Sequence, residues 1–199
     1  MTKHNIAFVC GSLRKDSFHR RLGHAVAKAA GDRIELVEVE IGDLPLYDED
    51  SEKDGPPAEW IRFRDVIRGT DGILFGSPEY NRSMTGALKN ALDVGSRPYG
   101  KSVWSKKPAA IFTGSPGMTG GFGSNHHLRQ SCVFLDMPTM QQPEAYWGLL
   151  NNDKVGADST IQDETLAKLV DAFAKAMVDW FDLIAAGRAK IAPDADHQD

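Results

Sequence analysis

Short apolar runs rich in branched and aromatic side chains alternate along this chain with stretches of helical period, and that alternation limits the fold more than any other property. The strand-like runs occupy residues 5–10, 33–39, 72–77 and 108–114, with a weaker one at 137–142. Between and after them, residues 17–30, 57–68, 84–94, 125–135 and 163–186 carry apolar side chains at three- and four-residue steps. In the last stretch, Leu166, Leu169, Val170, Phe173, Met177, Trp180, Phe181 and Ile184 form one broad stripe that must lie on something apolar. Strand and helix in strict alternation predict an α/β protein with a parallel sheet covered on both faces. The polar, turn-rich D-E-D-S-E-K-D-G-P-P at 48–57 reads as a loop. Residues 1–190 are expected to form a single domain and 191–199 a flexible tail.

Charge and cysteine content remove several functional classes. A net charge of −5 and a pI near 5.7 argue against nucleic acid as a partner, because its binders concentrate basic surface. Cys10 and Cys132 lie far apart in apolar surroundings, without C-x-x-C spacing, and read as buried thiols. His126 and His127 are adjacent rather than at metal-ligand spacing, one expected inward and one outward, and no metal site is expected. No apolar run has membrane-spanning length and strand-like sequence begins after four residues, so neither membrane insertion nor a signal peptide is expected; a cytoplasmic protein acting on small molecules fits.

In a sheet of this kind ligands bind outside the carboxyl ends of the strands, where the strand order reverses. Three loops leave those ends: G-S-L-R-K-D-S after the first strand, S-P-E-Y-N-R-S after the third, and G-S-P-G-M-T-G-G-F-G after the fourth. The first matches neither G-x-G-x-x-G nor G-x-x-x-x-G-K-[S/T]. It suits a terminal phosphate monoester held without metal: Gly11 for a tight turn, Ser12 and Ser17 for hydroxyls, Arg14 for a fork of donors, and the free amides of the next helix. The plainer alternative makes Ser17 an N-cap and Arg14 a solvated charge. In the second loop Glu79, Tyr80 and Asn81 offer an acid, a flat wall and an amide, which suits a planar heterocycle with carbonyl and imide edges; alternatively Asn81 or Ser83 caps a helix and Tyr80 packs. The third loop has glycines at 114, 117, 120, 121 and 123, which permit close backbone approach to a ligand or simply make a flexible loop.

Four blocks in this order resemble the NAD(P)H-dependent FMN reductases of flavodoxin-like fold, and within them the bacterial quinone and chromate reductases. They are G-S-L-R-K-D-S-F at 11–18, L-P-L-Y-D at 44–48, S-P-E-Y-N-R-S-M-T-G-A-L-K-N-A-L-D at 77–93, and the glycine loop followed by H-L-R-Q at 127–130. The resemblance implies a three-layer sandwich with a five-stranded parallel sheet in the order 2-1-3-4-5 and FMN as cofactor. It implies Gly11, Ser12, Leu13, Arg14, Ser17, Phe18 and His19 around the phosphate, Pro78, Glu79, Tyr80, Asn81 and Ser83 along the isoalloxazine ring, and Ser115 and Gly117 meeting the flavin from the third loop. It implies hydride transfer from NADPH or NADH to the flavin and on to quinones or chromate. Because the sequence offers no second dinucleotide fold, donor and acceptor are expected to use the exposed flavin face in turn, a ping-pong order, with Tyr80 and Asn81 positioning the reactants and no ionisable catalyst. An enzyme for free flavin or azo dyes, or a flavodoxin-type electron carrier, are the alternatives. A homodimer or homotetramer is implied, with residues 95–107, Tyr99 and Trp104 among them, as the candidate contact. The chain departs from the family at His19, Val94 and Gly123, where Asn, Trp and Arg are common.

Overall fold

A computed structural model describes residues 2–191; the expected tail beyond 191 lies outside them. Five parallel strands, β1 (His4–Cys10), β2 (Ile34–Val39), β3 (Gly72–Pro78), β4 (Ala109–Gly114) and β5 (Ala145–Trp147), form one sheet in the order β2-β1-β3-β4-β5. The helices are α1 (Phe18–Ala30), α2 (Glu49–Asp54), α3 (Ala58–Arg68), α4 (Gly86–Gly95), α5 (Phe122–Phe134) and α6 (Glu164–Ile191). Strands β3 and β4 are buried almost end to end because helices cover both faces, which is why they read as continuous apolar runs.

Alternate residues along each strand feed two cores. Ile6, Phe8, Leu74 and Phe112 pack with Leu22 and Val26 of α1 and with Phe173, Met177 and Phe181 of α6. Ala7, Val9, Ile73, Phe75 and Ile111 pack on the other face with Trp60 and Phe63 of α3, Leu88 of α4 and Leu128 of α5. Most of the stripe expected on the last helix therefore lies on the sheet, but Leu169 is exposed. Gly23 lets α1 settle there, since a Cβ would stand 2.2 Å from the Phe8 ring. Both cysteine thiols are buried, and burial pushes the Cys132 thiol up to about 12.

The structure corrects three expectations. The fifth strand is Ala145–Trp147 rather than 137–142: Pro138 cannot donate to a ladder, and the segment before it makes one bridge, from Thr139 to Ala109. The expected loop at 48–57 contains α2. Asp48 caps it by accepting from the Asp50 and Ser51 amides, acidic side chains crowd the first turn where the helix dipole favours them, and Glu52 is drawn inward by buried Arg64, which also donates to the Val94 carbonyl. Trp104 is fully buried between Phe63 and Phe75 with its indole N–H donating to the Leu92 carbonyl, so of the two aromatics expected at a subunit contact only Tyr99 stands in solvent.

Two of the four sequence blocks clasp each other. Within L-K-N, Asn90 is buried, its amide oxygen accepts from the Tyr47 amide at 2.8 Å and its NH2 donates to the Pro45 and Leu44 carbonyls at 2.9 and 3.3 Å. The L-P-L-Y-D segment is thereby pinned to α4 beside the strand ends.

Candidate functional site

The first loop leaves β1 where the strand order reverses. The Gly11 amide donates to Gly76 and its carbonyl accepts from the Thr85 hydroxyl at 2.7 Å, while a Cβ at Gly11 would come within 2.9 Å of the Ser77 hydroxyl. Glycine is thus required by close approach. Ser17 is the N-cap of α1, its hydroxyl accepting from the Arg20 amide, and the amides of Phe18 and His19 open the helix without an intrahelical partner. Among the described residues the Arg14 guanidinium has no hydrogen bond or ion pair; its backbone carbonyl accepts from Arg20.

His19 follows in the first turn. Its ring is buried, lies parallel to Phe112, and donates from Nε2 to the Gly114 carbonyl at 3.1 Å. Burial holds its pKa down at about 4, against the smaller upward pull of that hydrogen bond. His19 is therefore a neutral brace between the start of α1 and the end of β4.

The second loop is a tight hairpin. Tyr80 and Ser83 exchange backbone hydrogen bonds around Asn81 and Arg82, which sit at φ of 52° and 69°. A two-residue turn with both central residues left-handed favours asparagine first. Tyr80 is half exposed, and the Asn81 and Arg82 side chains face solvent. Neither Asn81 nor Ser83 caps α4; Thr85 does, its hydroxyl accepting from the Leu88 amide, so the helix begins two residues later than the expected 84. The Ser83 hydroxyl lies 2.9 Å from Nδ1 of exposed His127, whereas His126 is half buried against Phe122 and Tyr146.

The glycine loop is ordered by the chain after β5. The Ser115 amide donates to the Trp147 carbonyl, the Leu150 amide to Ser115, the Leu149 amide to Gly117, and the Gly117 amide to the Ser115 hydroxyl. Gly120 must be glycine twice over: its φ is 59°, and a Cβ would stand 2.4 Å from the Tyr146 carbonyl carbon.

The three loops enclose a cleft of about 140 Å³ lined by Ser12, Arg14, Ser17, Phe18, His19, Pro78, Glu79, Tyr80, Gly114, Ser115 and Pro116. An adjoining hollow of about 370 Å³, mostly apolar, shares Arg14 and Tyr80 and adds Gly11, Leu13 and Thr85. Of the residues expected at the site, Asn81, Ser83 and Gly117 line neither. Gly114, Pro116 and Thr85 were missed, although Thr85 carried an N-cap signal in T-G-A-L-K-N. A buried hydroxyl, a guanidinium without a partner among the described residues and open helix amides, beside aromatic and backbone walls, have the chemistry to fit a flavin mononucleotide.

Comparison with known proteins gives the same reading. The model for NADPH-dependent FMN reductase matches residues 4–151. A quinone reductase of Pseudomonas putida is 54% identical over 181 residues, covering 89% of this chain and 92% of that protein. A 2-hydroxy-1,4-benzoquinone reductase of a Burkholderia species is 43% identical, covering 88% and 94%. The solved structure of FerB, a flavoenzyme NAD(P)H:(acceptor) oxidoreductase from Paracoccus denitrificans, superimposes with a TM-score of 0.85 at 38% identity, over 90% of this chain and 97% of that one. With flavodoxin-like topology and these matches, the chain belongs to the NADPH-dependent FMN reductase family, with FMN as cofactor and NAD(P)H as electron donor.

Proposed function

We propose that this protein is an FMN-containing NAD(P)H:quinone oxidoreductase that delivers two electrons per cycle and also accepts chromate. The observation that carries the reading is the pairing, in one cleft, of the Arg14 guanidinium, without a partner among the described residues and beside the amides of α1, with the half-exposed Tyr80 wall. Relatives named as quinone reductases support the acceptor class. Arg14, Ser12 and the Phe18 and His19 amides hold the phosphate end; Pro78, Glu79, Tyr80 and Ser115 wall the ring end. FMN held by these residues would supply the redox chemistry that links two-electron oxidation of NAD(P)H to reduction of the acceptor. Tyr80 and the turn at Asn81 place the incoming partner. Neutral His19 adds no charge and serves as scaffold.

NAD(P)H and the acceptor use one opening in turn, a ping-pong order, because the single sheet offers no second dinucleotide fold among the described residues. A homodimer, or a tetramer built from it, completes the opening, with exposed Tyr99 as the aromatic at the contact. Steady-state kinetics with NADH and NADPH across quinones, free FMN, an azo dye and chromate test the reading. Parallel double-reciprocal lines and highest kcat/KM for a quinone are expected. Highest kcat/KM for free flavin or dye, or turnover only through a protein partner, overturns it.

A further inference from the structure

We propose that Glu79 is a positioning residue that latches the third loop to the second from inside the cleft. The inference rests on reading that cleft as the flavin site. The N-cap of helix α5 is Gly121, which has φ of 82° and no side chain with which to cap. The missing acceptor comes from another element: Glu79, at the end of β3, accepts from the Ser124 amide in the first turn of α5 at 3.2 Å through Oε2. Its side chain is only 10% exposed, and Oε1 accepts from Arg82 at 3.1 Å. A carboxylate at a helix N-terminus also meets the positive end of the helix dipole. Ser124 reinforces the junction: its buried hydroxyl donates to the Pro78 carbonyl at 2.9 Å. Gly123 makes it possible, because a Cβ there would stand 2.7 Å from the Arg82 carbonyl oxygen and 3.0 Å from Glu79 Oε2.

The consequence is positional. Pro78, Glu79 and Tyr80 form one wall of the cleft and Gly114, Ser115 and Pro116 another. The glycine loop runs from that second wall directly into α5, so the latch at Ser124 holds the far end of the loop while β4 holds the near end. Glu79 therefore sets the spacing of the two walls through α5, in addition to lining the cleft.

Three variants test this: Glu79→Ala, Glu79→Gln and Gly123→Ala, each read by FMN dissociation constant from fluorescence quenching and by visible circular dichroism of bound FMN. Losing the latch is expected to loosen FMN about tenfold in Glu79→Ala and to alter the dichroism, both signs of a shifted wall. Gly123→Ala, which leaves Glu79 intact, is expected to do the same by pushing Arg82 and Glu79 away. Glu79→Gln keeps an oxygen for the Ser124 amide and is expected to stay within about twofold of wild type. Wild-type affinity and dichroism in both Glu79→Ala and Gly123→Ala overturn the proposal, and if Glu79→Ala fails to fold, Gly123→Ala decides alone. A wild-type chain without affinity for FMN refutes the flavin reading instead. The latch is then judged by hydrogen exchange at residues 115–124, which Glu79→Ala speeds if Glu79 holds the loop and leaves unchanged if it does not.

Discussion

Acidification should destabilise this protein through His19, a residue far better placed to bear load than to transfer protons. In the folded chain its pKa is about 4, while an exposed histidine titrates near 6.5. Between those values the unfolded chain binds a proton that the folded chain refuses, so stability rises with pH across the window and is lost as pH falls through it. Integrating the linkage between pH 7 and 4.5 gives a loss of about 2 kcal/mol from this one ring. His19→Asn keeps a polar side chain and removes the titration. Urea unfolding of both proteins at pH 7 and 4.5, with FMN at equal saturation, isolates the effect, since every other titrating group is shared. Wild type is expected to lose about 2 kcal/mol more than His19→Asn between the two pH values. Equal losses would refute the assignment of His19 as a buried neutral brace, whatever the absolute stabilities.

Arg14→Ala should weaken FMN binding roughly ten- to a hundredfold, measured by fluorescence quenching, because a guanidinium–phosphate hydrogen bond contributes about 1.5–3 kcal/mol; unchanged affinity would remove Arg14 from the phosphate site. Asn81→Gly deletes the amide while tolerating the left-handed turn, and should lower turnover more than FMN affinity, whereas Tyr80→Ala should change the apparent KM for quinone. Stopped-flow reduction that is lost in His127→Ala but intact in Asn81→Gly, at equal FMN occupancy, would instead demand an acid catalyst. Asn90→Ala should cost about 2–3 kcal/mol in urea unfolding by stranding the backbone groups of residues 44–47, and a loss below about 0.5 kcal/mol would show that water replaces the clasp.

The sheet was legible because its central strands obey one local rule: a strand buried on both faces carries a continuous apolar run, as residues 6–10 of β1, 72–76 of β3 and 109–112 of β4 do. Where tertiary contacts outweigh local pattern, the reading failed. Acidic α2 has no apolar stripe to announce it and depends on Asp48 as cap and Arg64 as buried partner, neither visible from spacing. Three-residue β5 is too short for periodicity to separate from the Pro138 segment before it. At the cleft, the gathering of Gly11, Ser12, Arg14 and Ser17 was legible because they are neighbours in sequence on one turn from strand to helix. Ser124 was not, since a serine inside a helix becomes informative only once Glu79, 45 positions earlier in the sequence, is known to face it.

The bonding of the glycine loop to residues 147–150 has a thermodynamic consequence for the cofactor. Fixing a freely moving backbone costs about 1–2 kcal/mol per residue, and a loop that ordered only around its ligand would deduct that sum from affinity. Here Ser115 and Gly117 are already tied to Trp147, Leu149 and Leu150. On the proposed flavin reading, folding itself has met the entropic cost, and the calorimetric entropy of FMN binding is expected to lack the large negative contribution of a loop closing over its guest.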